Sequence, residues 1–184
     1  LAMAGTGADA IGCYEAHGTG TALGDPTEVG SLAAVLLRPR KAEATAIALC
    51  SVKGNVGHVE PGAGLLGLLT LECALQAGRA PPNAQLCAMN EHVGVTLRGL
   101  ACKAGVQQRL GLRPQDGTMG AVSSLGINGT IAHIVVRVAH SSPDGNVSSF
   151  GYSGTIAHAV LGIGQGGVRE ALAFGRAADS SEVL

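Results

Sequence analysis

The chain has 184 residues, 46% apolar and 14% charged, which suits one domain with a buried core and excludes a disordered, highly solvated chain. A formal charge of −1 leaves no basic footprint for nucleic acid. No apolar run reaches the eighteen or so residues of a membrane span, since the longest, around Leu65–Leu71, is broken by Gly67 and Thr70.

Ile11–Glu15 reads as a short buried strand ending in glycine turns, and it delivers His17 at its tip. Asp25-Pro26-Thr27-Glu28 has the form of a helix start, with Asp25 as N-cap, Pro26 at the first helical position and Glu28 closing a capping box. Val29, Leu32, Ala33 and Leu36 follow at helical spacing, and Pro39 ends the element. Ala44–Cys50 is a second expected strand, with Lys53 to His58 on the loop after it. From Gly62 to Ala77 the chain is apolar nearly all round, which predicts a helix inside the protein. Pro81-Pro82-Asn83 marks an extended crossing, and 84–117 carry little pattern.

An internal repeat follows. Residues 122–133 recur as 147–158 with nine of twelve positions identical at an offset of 25. Each copy reads as strand, glycine turn, strand. After Leu161 the chain turns glycine- and alanine-rich and ends in a polar tail. Gly162 to Gly167 fits G-x-G-x-x-G, but only 17 residues follow, too few for the βαβ unit of a dinucleotide site. Gly18-Thr19-Gly20-Thr21 lacks the lysine of a phosphate loop.

Two of the six histidines stand in glycine-rich frames: Glu15-Ala16-His17-Gly18-Thr19-Gly20-Thr21, and Ser51-Val52-Lys53-Gly54-Asn55-Val56-Gly57-His58. Imidazole exchanges protons near neutral pH, and neighbouring glycines let backbone and substrate approach it. The two frames point to one shared site. The histidines are spread without ligand spacing, so no metal site is expected. His133 and His158 sit in line with strand residues and read as structural, while His92 and His140 carry no signal. The five cysteines (13, 50, 73, 87 and 102) contain no C-x-x-C pair and read as reduced thiols. No targeting signal is visible, so an intracellular setting, cytoplasmic or plastid, is expected. The chain opens on Leu1 and reads as a fragment.

Together these motifs resemble the C-terminal half of the β-ketoacyl synthase family, the condensing enzymes of fatty acid and polyketide synthesis. The family's E-A-H-G-T-G-T and G-D-P-x-E motifs are matched by 15–21 and 24–28, its S-x-K-x-N-x-G-H-x-E by 51–60, and its S-S-F-G-x-x-G-T-x-A-H by both repeat copies. The resemblance runs from about Ile11 to Val136. It implies an α/β, thiolase-like half-domain, a mixed sheet with a buried helix, incomplete without the N-terminal half.

The activity implied is decarboxylative Claisen condensation of acyl and malonyl thioesters. His17 and His58 match the histidines that assist decarboxylation and stabilise the thioester oxygen. Lys53 matches the lysine that sustains the second histidine's hydrogen-bond network. Thr19 and Thr21 match contacts to a phosphopantetheine arm, and the Ile127 N–H matches one donor of an oxyanion hole. No cofactor is expected to bind directly; the phosphopantetheine arm arrives as a substrate carrier. The partners implied are an acyl carrier protein, the N-terminal half of the ketosynthase and a second copy in a homodimer.

Some residues depart from the pattern. No cysteine here stands in the family's nucleophile context, Thr70 replaces a usual lysine, and Leu125 stands where the second copy has the expected Phe150. The first copy, nearer the usual distance from His58, is expected to pair with the strand carrying His17 and to bring Ile127 near both imidazoles. The second is expected at the edge of the sheet or outside it. The expected organisation is a ketosynthase C-terminal domain over 1–138, an extra repeat over 139–161 and a Gly/Ala-rich tail over 162–184. The rival reading is a catalytically silent relative that serves dimerisation or carrier-protein docking.

Overall fold

A computed structural model describes residues 5–106, 110–112, 119–126 and 129–137, and the backbone of 144–150, 155–164 and 167–177. Among the described residues one mixed sheet organises the chain. Its strands are β1 (Ile11–Glu15), β2 (Ile47–Cys50), β4 (Cys102–Ala104), β6 (Met119–Leu125), β7 (Ile131–Arg137), β8 (Asp144–Phe150), β9 (Thr155–Gly164) and β10 (Gly167–Ala177), in the spatial order β10-β9-β8-β7-β6-β1-β2-β4. The half from β4 to β6 is parallel, and from β6 outward every pairing is antiparallel. A separate two-stranded ribbon pairs β3 (Arg79–Ala80) with β5 (Leu110–Gly111). The helices are α1 (Gly24–Leu32), α2 (Lys53–Val56), α3 (Ala63–Ala77) and α4 (Glu91–Leu97).

All four residues of β2 are buried, as a central parallel strand covered on both faces requires. Its side chains alternate between two cores. Ile47 and Leu49 join Ile11, Leu32, Leu36 and Ala121 on the α1 face. Ala48 and Cys50 join Cys13, Leu71, Leu75 and Val122 on the α3 face. Helix α3 lies close against the sheet at Gly120, where a Cβ would stand 2.5 Å from Leu71 Cδ1. The apolar stripe Val29, Leu32, Ala33 and Leu36 is buried as its spacing predicts, and α1 runs on through a π-helical turn, Ala33–Leu37, to Pro39.

Four expectations are corrected. Asp25 and Glu28 form no capping box: the helix is preceded by Leu23, and both carboxylates bond to the loop before it rather than to the helix's own N–H groups. Lys53–Val56 is a helical turn rather than loop. Helix α3 is not inside all round, because Leu65 is 64% and Leu69 48% exposed. One flank packs on the sheet, and none of the described residues covers the stripe bearing these two leucines. Where the sequence reads as a Gly/Ala-rich tail, the backbone of Gly167–Ala177 continues the sheet as its outermost strand.

The two repeat copies are successive hairpins. Strand β6 of the first pairs in parallel with β1, Glu15 opposite Val122, and β8 and β9 of the second extend the sheet beyond β7. Ile127 lies outside the described residues, so its placement near the imidazoles does too. All five cysteines are free thiols.

Candidate active site

Parallel neighbours release their following loops at the same sheet edge, and β1 and β2 are paired with Glu15 opposite Cys50. The Ala16 N–H then donates to the Cys50 carbonyl at 2.7 Å, tying the two histidine loops at their bases. The first loop is clasped from below by α1. Glu28, buried, accepts from the backbone N–H of His17 at 2.7 Å and of Gly18 at 3.0 Å. Asp25 accepts from Gly20 N–H at 3.1 Å. Gly18 has φ +46°, and a Cβ there would meet Ser51 Oγ at 2.7 Å, so only glycine fits this crossing of the two loops.

The second loop is held from both sides. Val52 N–H donates to Glu15 Oε1 at 2.6 Å, and Ser51 N–H donates to Asn83 Oδ1 at 2.8 Å. Asn83, buried, uses its own Nδ2 on the Leu49 and Gly105 carbonyls, both at 3.1 Å. Asn55 donates to the Pro82 carbonyl and accepts from Ala84 N–H. The Pro81–Asn83 crossing is thereby strapped to the loop that carries His58.

The outcome is an edge-to-face imidazole pair: the rings of His17 and His58 have centroids 5.5 Å apart at an interplanar angle of 89°. His58 is exposed and His17 half-buried. His17 Nδ1 is buried and, among the described residues, has no hydrogen-bond partner. Burial, reinforced by the charge of Lys53 and by His58, lowers the His17 pKa to about 4, so this imidazole is neutral at physiological pH. Lys53 is buried; desolvation lowers its pKa, while Glu15 and Glu28 act in the opposite direction. Glu15, fully buried, is pushed up to about 7 by desolvation against the pull of the Val52 N–H and Lys53. Burial also raises Glu28, opposed by the two N–H groups it accepts from. A neutral imidazole beside a second one, over a buried lysine flanked by carboxylates, can donate hydrogen bonds to a developing oxyanion or shuttle a proton.

His17 and His58 are thus brought together, and the charge of Lys53 reaches His17. Thr19 is half-buried, and the exposed Thr21 turns its Oγ1 to the Gly24 N–H at 3.1 Å. A cavity of about 230 Å³ lies between α1, α4 and the end of β2, lined by Ala16, Gly18, Glu28, Ser51, Asn83 and Met89 among others. None of His17, His58, Thr19 and Thr21 lines it. Glu28, Asp25 and Asn83 are the site-building residues that sequence reasoning missed. Two acids in the first turn of a helix read equally as caps or as a clasp, and nothing local separates the two. Among the described residues no three His, Cys, Asp or Glu side chains converge as metal ligands would, and no helix is long and apolar enough to cross a membrane.

The mixed sheet, whose adjacent parallel strands present paired histidines at one edge, has a thiolase-like fold. Residues 1–87, a little under half of the chain, match the family model of the beta-ketoacyl synthase C-terminal domain. Among proteins of known sequence it is similar to erythronolide synthase EryA2 of Saccharopolyspora erythraea, 41% identical over 130 residues, covering 70% of this chain and 4% of that protein. It is also similar to 6-methylsalicylic acid synthase of Aspergillus niger, 36% identical over 141 residues, covering 74% of this chain and 8% of that one. Among solved structures, ketosynthase twelve from the bacillaene polyketide synthase of Bacillus amyloliquefaciens superposes with a TM-score of 0.68 at 30% identity, covering 78% of this chain and 25% of that one. The chain therefore spans less than a tenth of these two curated relatives and about a quarter of the ketosynthase structure.

Proposed function

We propose that this chain supplies the malonyl-handling half of a ketosynthase active site that performs decarboxylative condensation in polyketide synthesis. The observation that carries the reading is the edge-to-face pair His17–His58, held at the joined ends of two parallel strands with His17 kept neutral. In the reaction, the malonyl C–C bond to the carboxylate breaks and releases CO₂. The electron pair stays on the thioester as an enolate, whose oxygen accepts imidazole N–H hydrogen bonds. The enolate carbon then attacks an acyl thioester on a cysteine, and the cysteine thiolate leaves. Donors aimed at charge that develops only in the transition state lower the barrier without tightening ground-state binding.

In this reading Lys53 sustains the hydrogen-bond network of His58, Thr19 and Thr21 meet the phosphopantetheine arm of an acyl carrier protein, and the Ile127 N–H joins the oxyanion hole. The nucleophilic cysteine comes from the N-terminal half of the ketosynthase. That half also covers the exposed Leu65 and Leu69 of α3, an apolar stripe that water disfavours. The working assembly is a homodimer, with the catalytic domain over 1–138 and the second repeat copy and strand β10 peripheral to it.

The test uses the enzyme that contains this chain. His17→Ala and His58→Ala are expected to lower CO₂ release from malonyl carrier protein by about 10²–10³ each while cysteine acylation persists. Unchanged CO₂ release in both variants would show that other groups do this work. The 184-residue chain alone is expected to form no β-ketoacyl product from acyl and malonyl carrier proteins, since it lacks an activated thiol in the nucleophile's place. Product from the chain alone would overturn that assignment.

A further inference from the structure

The sequence gives His133 no catalytic part, yet it ends a chain of buried polar contacts that leads back to the His17 loop. On the α1 face of the sheet, Tyr14, Ser123 and Glu28 are all buried, which is costly for polar groups unless each finds a partner. They find one another. His133 Nδ1 lies 2.9 Å from Ser123 Oγ, and these residues are in register across β6 and β7. Ser123 Oγ lies 2.7 Å from Tyr14 Oη, across the parallel pairing of β6 with β1. Tyr14 O–H donates to Glu28 Oε1 at 3.5 Å, the longest link. That carboxylate is the one holding the His17 and Gly18 amides. The Tyr14 and His133 rings lie 6.2 Å apart at 31°, filling the space around the Ser123 hydroxyl.

The end point fixes the direction. A carboxylate only accepts, so Tyr14 donates to Glu28; Tyr14 Oη then receives the Ser123 proton, and Ser123 Oγ receives one from His133. We propose that His133, Ser123 and Tyr14 are positioning residues for His17: a one-way hydrogen-bond relay, with neutral His133 in its Nδ1–H form, that orients Glu28 and through it the backbone of the His17 loop. This deepens the proposed function and rests on it for the meaning of His17, but the relay itself is testable without catalysis. Cooperative polar chains of this kind rigidify their surroundings when every member is satisfied. Here the relay ties the first repeat hairpin to the loop after β1, which are far apart in sequence.

The first measurement needs no variant. In the 184-residue chain the ¹⁵N signals of His133 are expected to report the Nδ1–H tautomer; an Nε2–H tautomer overturns the relay. Tyr14→Phe removes the acceptor of the Ser123 proton, which then turns to His133 Nδ1. The tautomer is therefore expected to switch to Nε2–H, a change that a merely space-filling Tyr14 would not cause. In Tyr14→Phe, hydrogen exchange at the His17 and Gly18 amides is expected to quicken by about tenfold, the loss of one charge-assisted hydrogen bond to Glu28, and in Ser123→Ala it is expected to quicken less, since the Ser123 hydroxyl acts on Glu28 only through Tyr14. Unchanged exchange in both variants overturns the relay as a positioning device. In the enzyme that contains this chain, Tyr14→Phe is expected to lower kcat for malonyl decarboxylation severalfold with KM and cysteine acylation unchanged. Unchanged decarboxylation overturns the link from the relay to His17. If His17→Ala also leaves decarboxylation unchanged, the failure lies instead with the proposed function.

Discussion

Glu28 is held by geometry that no single residue type announces. Its two oxygens take the amides of His17 and Gly18, so the carboxylate works as a template for the loop that aims the imidazole. Glu28→Gln leaves one oxygen and turns an amide group toward a backbone donor. The expected loss is about 2–3 kcal/mol, the scale of a charge-assisted bond replaced by an unsatisfied group, read from urea unfolding midpoints. Gly18→Ala should cost a comparable amount for another reason. A Cβ at φ +46° would sit 2.7 Å from Ser51 Oγ, so backbone strain of about 1–3 kcal/mol adds to a clash between the two loops. Nuclear Overhauser effects between the His17 and His58 rings are expected to weaken in the same variant; an unchanged ring pair would show that the loops can part without disturbing the site.

At the scale of elements, the approach of α3 to the sheet controls the site's floor. Gly120 has no room for a side chain, because Leu71, itself fully buried, fills the space a Cβ would take. Gly120→Ala is therefore expected to cost about 1–3 kcal/mol by overpacking, and Leu71→Ala about 2–5 kcal/mol by leaving a cavity. The double variant should be less destabilised than the sum, since the new methyl occupies part of the space that Leu71 vacates. Strict additivity in a denaturant double-mutant cycle would contradict this packing. The same logic explains why α3 is half inside: the flank bearing Leu71 and Leu75 meets β1, β2 and β6, and the opposite flank bearing Leu65 and Leu69 does not.

For the whole molecule, pH tests the electrostatics of the site. Glu15 titrates near 7 when folded and near 4.5 when free, so between those values the folded chain binds more protons and its stability falls as pH rises. Glu28, also raised by burial, acts in the same direction. His17 does the opposite: lowered from 6.5 to about 4, it makes the folded chain bind fewer protons, so stability rises with pH through that window. The opposing slopes overlap between pH 4.5 and 6.5. Relative to the parent chain, Glu15→Gln should tilt the Tm profile upward with pH in that window, and His17→Gln should tilt it downward. The Glu15 contribution is at most about 3 kcal/mol. Parallel Tm profiles for the parent and Glu15→Gln would show that Glu15 is not buried as a titrating acid.

The order of strand, glycine turn and histidine was legible in the sequence because it is local. Period and turn chemistry are set by neighbouring residues, and β1, α1, β2 and α3 lie close to where apolar runs and prolines mark them. The pairing of His17 with His58 could be read only as two motifs of matching form; the parallel register of β1 on β2 turned it into a geometry. Asp25 and Glu28 were misread because a carboxylate near a helix start satisfies whichever N–H lies nearest, and the loop folded back to supply it. The exposure of Leu65 and Leu69 was likewise invisible, since a helix's apolar girth says how much it must cover and not what lies beside it. Local sequence determined the elements and the reactive side chains. Tertiary structure decided the partners of Glu28, the depth of Glu15 and Lys53 and the company of His133, because those depend on which distant segments the sheet brings into contact.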